Sequence, residues 1–336
     1  MISVIIALYN AEKVIGRCLE SVYGSLLKDF EVIVVDDCST DNSYEIVKGF
    51  PCNCVRLERN SGPAHARNIG VKNSRGDILF FIDSDTELDN KALGLIHETF
   101  ENEKDVVAIV GLPEKRSLSR GMAADYNALK NHYTLSISDK YSDYFSTQVG
   151  AVRRKTFFEV GGFDAKFRGA DVEDIEFGMR LPEGKTVIHK GVLVGHHFPH
   201  FGSIAKKYFK RSIQLSRVVR KRKRMSGAHA SLMRTFLTLI ALISFVSTFA
   251  LLFNPKFIIA PFSLFFVFLI GNSGLFSFIS REKGFLFMLV SIFYEYVFSV
   301  IIGIGGITGI ILKDREQKPK SPLPQGEGKG EGGFFG

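Results

Sequence analysis

Five short apolar runs in the first 111 residues alternate with segments of helical spacing, and this alternation restricts the fold more than any other feature of the chain. The apolar runs are SVIIAL (3–8), FEVIVVD (30–36), CVRLE (54–58), ILFFID (78–83) and VVAIVG (106–111). Helices are expected between them, in segments 11–27, 39–50, 63–73 and 91–102. Strand and helix alternating in this way predict a Rossmann-like α/β fold with a mostly parallel, doubly wound sheet.

Polar side chains follow the carboxyl ends of several of these strands. In doubly wound sheets, ligands bind outside those ends. We therefore expect one edge of the sheet to form a binding site that includes Tyr9, Asp36, Asp37, Asn60 and the pair Asp83 and Asp85.

The sequence motifs of dinucleotide and Walker-type phosphate sites do not occur in this chain. The first strand leads into YNAEKVIG, without G-x-G-x-x-G, and there is no Walker lysine motif. Asp83 and Asp85 instead offer oxygen ligands to a hard divalent cation, Mg²⁺ or Mn²⁺, which can bridge to a diphosphate. A solvated acidic loop is the alternative that these two residues leave open.

Five longer segments give the chain a family resemblance. They are SVIIALYNAEKVIGRCLESV, EVIVVDDCSTDNS, NSGPAHARNIGVKNSRGDILFFIDSDTEL, VRRKTFFEVGGFD and VEDIEFGMRL. In order and spacing they resemble the motifs of family 2 glycosyltransferases of the GT-A fold. The resemblance implies a glycosyltransferase catalytic domain over residues 1–200 and strengthens the metal assignment at Asp83 and Asp85.

This resemblance implies a site for the nucleotide of a nucleotide-sugar donor. Ala7 and Tyr9 would line the nucleobase pocket, with Tyr9 stacking on the base. Asp37 would accept a hydrogen bond from a uracil ring or its equivalent, and Asp36 would support that loop or the ribose. Arg67 would face the nucleotide, where a guanidinium can form a fork to phosphate.

The resemblance also implies the ligands of Mn²⁺ or Mg²⁺. Asp85 would bind the metal directly, and Asp83 would contact the ribose or the metal. A histidine in GVLVGHHFPHFG (191–202) would complete the metal shell, with His196 as the first choice and His197 as the alternate.

Glu173 and Asp174 begin a predicted helix in VEDIEFGMRL. Taken alone, acidic residues in a first helical turn are ordinary complements of the helix dipole. The resemblance makes this pair the acceptor side of the catalytic site, with Asp174 as the base that removes the proton of an acceptor hydroxyl. A single base opposite the departing nucleotide implies inversion at the anomeric carbon, with the metal stabilising the diphosphate.

The net charge of +8 arises in one segment and does not indicate a nucleic-acid-binding protein. Ten Lys or Arg and no Asp or Glu lie between Lys206 and Arg224, just before the apolar region. Residues 203–224 are predicted to form a basic amphipathic helix on membrane lipid. Their QLSRV (214–218) lacks the tryptophan of the Q-x-x-R-W segment of processive polysaccharide synthases, so we do not expect processivity.

Residues 232–312 are almost uncharged and predict a transmembrane region. Three stretches, 232–253, 257–280 and 285–312, each reach the length of about 20 residues that crosses a bilayer. The basic segment before them predicts a multi-pass protein of the cytoplasmic membrane with its catalytic domain in the cytosol. Three spans would place the basic residues after Leu312 outside the cell, which the preference of basic residues for the cytosolic side disfavours. Two or three spans therefore remain open, and the Pro/Gly-rich tail 313–336 is predicted to be disordered.

The leading hypothesis is an inverting, metal-dependent hexosyltransferase of family 2. It would move a sugar from a nucleotide-sugar donor, UDP-linked in the favoured version, to a hydroxyl of a membrane-associated glycan or glycolipid in cell-envelope synthesis. A polyprenyl-phosphate glycosyl synthase is the first alternative, although its anionic acceptor would need no base such as Asp174. A non-catalytic, membrane-anchored nucleotide-sugar-binding protein is the second alternative.

Overall fold

The computed structural model describes residues 1–167, 169, 172–222, 232–252, 254 and 258–312. Residues 223 and 224 of the predicted basic helix, and the whole predicted tail 313–336, lie outside this described part of the chain.

The first four strands form the parallel half of one sheet. They lie in the spatial order β3-β2-β1-β4, and every neighbouring pair among them is parallel. Because parallel neighbours end at the same edge, the residues that follow these strands lie side by side. The strands are β1 (Ile2–Leu8), β2 (Phe30–Asp36), β3 (Asn53–Arg56) and β4 (Ile78–Ile82), and the intervening helices are α1 (Ile15–Tyr23), α2 (Ser43–Lys48) and α3 (Pro63–Lys72).

The second half of the sheet is mixed. It contains β5 (Thr86–Leu88), β6 (Ala108–Pro113), β7 (Tyr141–Ser142), β8 (Val149–Arg153) and β9 (Thr186–His196). Strand β8 lies antiparallel between β4 and β6, β6 is parallel to β9, and β5 and β7 are antiparallel to β9. The predicted α/β class is confirmed, and the sheet is wholly parallel in its first half and mixed in its second, because β5, β7 and β8 run antiparallel to their neighbours.

Strand residues alternate between two apolar clusters, one on each face of the sheet. Val4 and Ile6 belong to one cluster and Ile5 to the other, and all three are fully buried. Four further helices cover the sheet: α4 (Ala92–Asn102), α5 (Met122–Ser136), α6 (Arg154–Glu159) and α7 (Glu173–Gly178).

A group of carboxyl-terminal helices packs on this domain. It consists of α8 (Phe201–Arg222), α9 (Leu232–Ser247), α10 (Ile259–Gly271), α11 (Ser273–Lys283) and α12 (Phe285–Ile311), with a short 3₁₀ helix (Thr248–Leu252) continuing α9. Two segments of the described chain, 232–252 and 285–311, are long and apolar enough to cross a membrane, and α10 and α11 form a pair bent by 64° that could be a third. The choice between two and three spans therefore stays open.

The end of α11 lies against the amino-terminal domain. The Nζ of Lys283 is 3.0 Å from the Oδ2 of Asp125, and the Nζ of Lys115 is 2.6 Å from the Oε1 of Glu282. The charged segment SREKG (280–284) thus contacts this domain.

Helix α12 lies alongside α8 at very short range, and two glycines permit the contact. A Cβ atom at Gly305 would overlap the Oγ of Ser212, and one at Gly309 would overlap the carbonyl oxygen of Ile213. The glycine-rich segment GIGGITG (303–309) is therefore a close-packing surface of α12. Because α8 also lines the cleft described below, the glycines set the distance between the apolar helices and that cleft.

Gly309→Ala should destabilise the protein, since the added Cβ meets backbone atoms of Ile213, and overpacking of this kind costs about 1–3 kcal/mol. Gly306→Ala is the matched control, because a Cβ there has only Ser216 Oγ nearby, at 3.6 Å. Thermal unfolding in detergent should show a lower midpoint for Gly309→Ala than for Gly306→Ala. Equal midpoints would contradict the close approach of α8 and α12.

Candidate active site

A cleft of about 740 Å³ opens at the carboxyl ends of β1, β2 and β4. Most of the residues singled out in the sequence line it: Ala7, Tyr9, Asp37, Arg67, Asp83, Asp85, Glu173, Asp174 and His196. Asp36 and His197 do not line it. The predicted edge of the sheet is therefore the place where the candidate residues meet.

Asp37 shapes the side of the cleft that lies next to β1 and β2. It is buried, and its two carboxylate oxygens accept hydrogen bonds from the backbone amides of Ser61 and Gly62, each at 2.7 Å. Gly62 has φ of +93°, a conformation that favours glycine, and it directly precedes α3. Asp37 thus fixes the loop that leads into α3, while Tyr9, 49% exposed, presents its ring to the same region of the cleft.

Asp36 supports the loop that follows β2. It is fully buried, its Oδ1 accepts a hydrogen bond from the backbone amide of Ser39 at 3.0 Å, and its Oδ2 lies 3.2 Å from the Nε of Arg56. Of the two roles that the sequence left open for Asp36, this geometry favours loop support over contact with a ribose.

Arg67 is buried and bridges two carboxylates. One terminal nitrogen donates to the Oδ1 of Asp83 at 2.7 Å, and the other donates to the Oε1 of Glu173 at 2.9 Å. In this structure both terminal nitrogens of Arg67 are directed at protein carboxylates, and the expected fork to a phosphate stays a prediction. Arg67 thus joins the loop after β4 to the start of α7. The two carboxylates that it bridges, Asp83 and Glu173, are 90 positions apart in the sequence.

The positive charge of Arg67 stabilises the ionised form of Asp83. Enclosure by the protein raises the pKa of the Asp83 carboxyl, but the positive charge of Arg67 and a smaller contribution from His196 outweigh this effect. The pKa of Asp83 consequently lies below its ordinary value, and the side chain is ionised at neutral pH.

Asp85 and His196 face each other across the β5–β9 pairing. Thr86 is paired with His196, and this register brings the Oδ1 of Asp85 to 3.5 Å from the Nε2 of His196. Burial lowers the pKa of His196, so that its imidazole is neutral near pH 7 and available as a metal ligand.

The pair fits a hard divalent cation. Two cis ligands of an octahedral ion, each about 2.1 Å from it, lie roughly 3 Å apart, close to the Asp85–His196 separation. The described residues contain no group of three His, Cys, Asp or Glu side chains placed to hold a metal. Within the described part of the chain, Asp85 and His196 are thus a candidate pair of ligands, and water and a diphosphate are the usual sources of further ligands for Mg²⁺ or Mn²⁺.

His197, the alternate ligand, points elsewhere. Its Nε2 lies 3.2 Å from Arg17 and 3.7 Å from Glu87, and its Nδ1 is 3.4 Å from the Oγ of Ser119. This geometry favours His196 over the alternate His197, because the imidazole of His196 is the one that faces the carboxylate of Asp85.

Asp174 and Glu173 begin α7, as predicted, but their surroundings differ. Glu173 is engaged by Arg67, whereas the Oδ1 of Asp174 accepts its hydrogen bond from the backbone amide of Ile175 at 2.8 Å. Burial raises the pKa of Asp174 to about 6; the charge of Arg211, 3.9 Å away, opposes this shift, and Glu173 adds to it. Asp174 is therefore the carboxylate of the pair suited to proton transfer.

The chain resembles known glycosyltransferases in sequence. The family model "Glycosyl transferase family 2" matches residues 3–162. The chain carries a family 2 glycosyltransferase domain. Teichoic acid poly(glycerol phosphate) polymerase of Staphylococcus epidermidis is 34% identical over 141 residues, covering 39% of this chain and 20% of that protein. Glycosyltransferase GlyA of Streptococcus pneumoniae is 27% identical over 223 residues, covering 65% of this chain and 32% of that protein.

The chain thus spans a third or less of the length of either relative.

Among solved structures, the mannosyltransferase PcManGT from Pyrobaculum calidifontis, described in complex with GDP-Man and Mn²⁺, has a TM-score of 0.57 at 16% identity. The alignment covers 92% of this chain and 86% of that one. At this identity the likeness concerns the fold, and it extends from the glycosyltransferase domain into the helices after it.

The cleft is also lined by residues that the sequence did not reveal as part of a site. Asn127 and Lys130 of α5, and Lys207 and Arg211 of α8, line the cleft. The segment around α5 carries no readable motif, and the α8 cations were assigned to lipid as part of a basic run. The sequence did contain one signal for the α8 residues. Lys207 and Arg211 are four positions apart, which places both on one face of a helix.

Arg67→Met should lower the free energy of unfolding by about 3 kcal/mol, because removing one partner leaves the buried carboxylate of Glu173 without its counter-charge. Adding Glu173→Gln to this variant should recover part of the loss, as measured by urea denaturation in detergent. Strictly additive effects of the two substitutions would show that the Arg67–Glu173 pair does not couple the two segments.

Proposed function

We propose that the protein is an inverting, divalent-metal-dependent glycosyltransferase. It moves a sugar from a nucleotide-sugar donor to a hydroxyl of a membrane-associated glycan or glycolipid in cell-envelope polysaccharide or glycoconjugate synthesis. The observation that carries this proposal is the arrangement of one cleft. The Asp85–His196 pair and the carboxyl group of Asp174, whose pKa is raised, line that cleft, and Arg67 connects their segments.

The donor side rests on the residues after β1 and β2. The exposed ring of Tyr9 offers a stacking surface for a base, and Ala7 beside it leaves room for that base. Asp37 keeps acceptor capacity on its carboxylate, after bonding two amides, for the N–H of a uracil ring or its equivalent, and uridine diphosphate is the leaving group in the favoured version of this proposal. That a neighbour of the same fold is described with GDP-Man and Mn²⁺ supports a metal-bound nucleotide sugar.

Asp85 and His196 would hold Mn²⁺ or Mg²⁺, with Asp83 near it. The bound cation supplies positive charge to the departing diphosphate. Asp83 is ionised and oriented by Arg67, so its free oxygen is available to a ribose hydroxyl or to the metal shell. In this assignment His196 contributes a neutral imidazole nitrogen.

Asp174 acts as the general base. Its carboxylate accepts the proton of the acceptor hydroxyl while the hydroxyl oxygen forms a bond to the anomeric carbon. The bond from that carbon to the diphosphate oxygen breaks, and its electron pair leaves with the nucleoside diphosphate. Attack from the side opposite the leaving group inverts the anomeric configuration.

A membrane-associated acceptor is supported by the carboxyl-terminal helices. Leu239, Ile243, Phe266, Leu286 and Phe293 are all exposed, and they leave apolar faces on α9, α10 and α12 uncovered by protein. We assign these faces, within 232–312, and the basic helix of 203–224 to membrane lipid, with the glycosyltransferase domain in the cytosol. The similarity to a polymerase of teichoic acid, as that relative is named, supports a role in the cell envelope.

Asp85→Ala should remove the part of the nucleotide affinity that depends on metal, because one of the two protein ligands is lost. Calorimetric titration of UDP with and without Mn²⁺ measures this part directly. Glu87→Gln is the matched control, since Glu87 follows two residues later but contacts Arg17 and His197 outside the cleft. An Asp85→Ala variant that retains the full effect of Mn²⁺ on UDP affinity would contradict the assignment of Asp85 as a metal ligand.

Asp174→Asn should keep UDP affinity and lose turnover by about 10²–10⁴-fold, the usual contribution of a general base. In the unaltered enzyme, kcat/KM should fall as pH drops through the pKa of about 6, because protonated Asp174 cannot accept a proton. Arg211→Gln should move this acid limb to higher pH, since Arg211 lowers the pKa of Asp174. Near-normal turnover of Asp174→Asn would contradict the assignment of Asp174 as the general base.

A further inference from the structure

Helix α12 has one charged residue in an otherwise uncharged sequence, and the glycosyltransferase domain holds it. Glu295 is buried, and its Oε2 lies 2.7 Å from the Nζ of Lys130 of α5. Tyr126, one helical turn earlier on α5, donates its hydroxyl to the same oxygen. Leu135 of α5 packs in one apolar cluster with Val110 of β6, so α5 is itself fixed to the sheet. The middle of α12 is therefore bound to the domain that carries the cleft.

Beyond this ion pair, α12 runs beside α8. The ring of Phe298 stacks on that of Phe201, the first residue of α8, with centroids 5.2 Å apart. Near the other end of α8, Arg220 donates to the carbonyl oxygen of Ile310 at 3.0 Å. The two glycine contacts described above lie between these points. The helices thus run side by side, in the same direction, over a length of α12 of about 18 Å.

Helix α8 lies along the surface of the domain over most of its length. Near its start, Tyr208 donates to the Oδ1 of Asn127 of α5 at 2.7 Å. Near its end, Val218 packs with residues at both ends of α7, and Arg222 binds Glu176 of α7. Because α12 is parallel to α8, its axis follows the surface of the domain and does not point away from it.

The other side of α12 is an exposed apolar stripe. Its residues are 42–77% exposed and recur at helical spacing along the whole helix: Leu286, Leu289, Phe293, Ile304, Ile307 and Ile311. The stripe is about 38 Å long. Lys206 and Lys221, near the two ends of the neighbouring α8, are exposed and suit anionic headgroups. An apolar stripe beside exposed cations fits the surface of a bilayer.

A crossing orientation of α12 conflicts with these contacts. The helix starts at the domain, since Lys283, two residues before it, is paired with Asp125 of α5. If α12 crossed the bilayer from there, Glu295 would lie about 15 Å deeper, at the middle of the hydrocarbon core. Lys130, α5 and the sheet on which α5 packs would have to follow it. The cations of α8 would enter the hydrocarbon as well, and charged side chains are costly there.

We propose that α12 does not cross the membrane but lies flat in the cytosolic leaflet. The exposed stripe contacts acyl chains, and the face with Glu295 contacts the glycosyltransferase domain. The proposal rests on the assignment of residues 232–312 to lipid and of the domain to the cytosol under the proposed function. Both ends of α12 are then cytosolic, so the basic residues after Leu312 stay on the side that basic residues prefer.

A flat α12 confines any crossing to the chain before it. Arg234, near the start of α9, donates to the Oγ1 of Thr134 of α5 at 2.6 Å. Helix α11 returns to the same helix, since the ring of Phe278 stacks on that of His132. The segment between these contacts leaves the domain and comes back to it. Ile302 of α12 lines the cleft, so this part of the cleft lies at the bilayer surface, where a lipid-linked acceptor is held.

The chain contains no tryptophan, so a tryptophan introduced on the stripe is a unique fluorophore. Four variants of the full-length protein sample the stripe from end to end: Leu286→Trp, Phe293→Trp, Ile304→Trp and Ile311→Trp. Each is placed in phosphatidylcholine and phosphatidylglycerol vesicles whose lipid is brominated near the headgroup or near the end of the acyl chain. Leu26→Trp is the control. Leu26 is exposed between α1 and β2, at the edge of the sheet opposite the cleft, and this tryptophan should not be quenched.

The four tryptophans should show the same ratio of quenching by the two lipids, because a flat helix holds them at one depth. In a crossing helix, positions 293 and 304 would lie about 8–9 Å from the bilayer centre and positions 286 and 311 about 18–20 Å from it. The deeply brominated lipid would then quench the central pair most. That pattern would overturn the proposal, and so would the absence of quenching at all four positions in membrane-bound protein.

The side of the membrane on which the chain after Leu312 lies gives a second test. Green fluorescent protein fused after Gly336 should fluoresce in bacterial cells, and alkaline phosphatase, which is active outside the cytosol, should be inactive at the same place. An active phosphatase would overturn the flat orientation and leave the proposed glycosyltransferase function intact. A protein recovered in the soluble fraction of the cells would instead overturn the membrane assignment of the proposed function.

Discussion

The bridge from Arg67 to Asp83 and Glu173 is the interaction on which the site depends. The guanidinium is buried and its two terminal nitrogens bind carboxylates from segments far apart in the sequence. It keeps Asp83 ionised at the donor end and fixes the start of α7, where Asp174 lies. Two carboxylates of one cleft therefore have opposite pKa shifts: the pKa of Asp83 is lowered and that of Asp174 is raised. The first shift suits the binding of a cation and the second suits the acceptance of a proton.

The part of the cleft formed after β1, β2 and β4 could largely be predicted from the sequence, because its signals are local. Apolar runs such as ILFFID mark buried strands, and parallel strands necessarily end at the same edge. The residues that follow them, Tyr9, Asp37 and Asp85, therefore had to lie together, and all three line the cleft. The position of Glu173 and Asp174 at the start of a helix was also readable from the pattern of acidic and apolar residues around them.

The rest depends on contacts between distant segments, which no local pattern encodes. Antiparallel insertion of β8 makes the second half of the sheet mixed, and the pairing of β5 with β9 decides that His196 and not His197 faces Asp85. The basic run after residue 203 suggested lipid alone, whereas one face of α8 places Lys207 and Arg211 in the cleft. The contact of Gly305 and Gly309 of α12 with α8 helps to hold the apolar helices against the cleft.

The location of a bound metal tests the central claim most directly. In a structure of the protein with UDP and Mn²⁺, anomalous scattering at the manganese edge should show one peak in the cleft, about 2.0–2.2 Å from an oxygen of Asp85 and from the Nε2 of His196. The same peak should lie next to the diphosphate, with Arg67 still bound to Asp83 and Glu173. A peak that contacts neither Asp85 nor His196, or a nucleotide bound in the cleft without any manganese peak, would contradict the account.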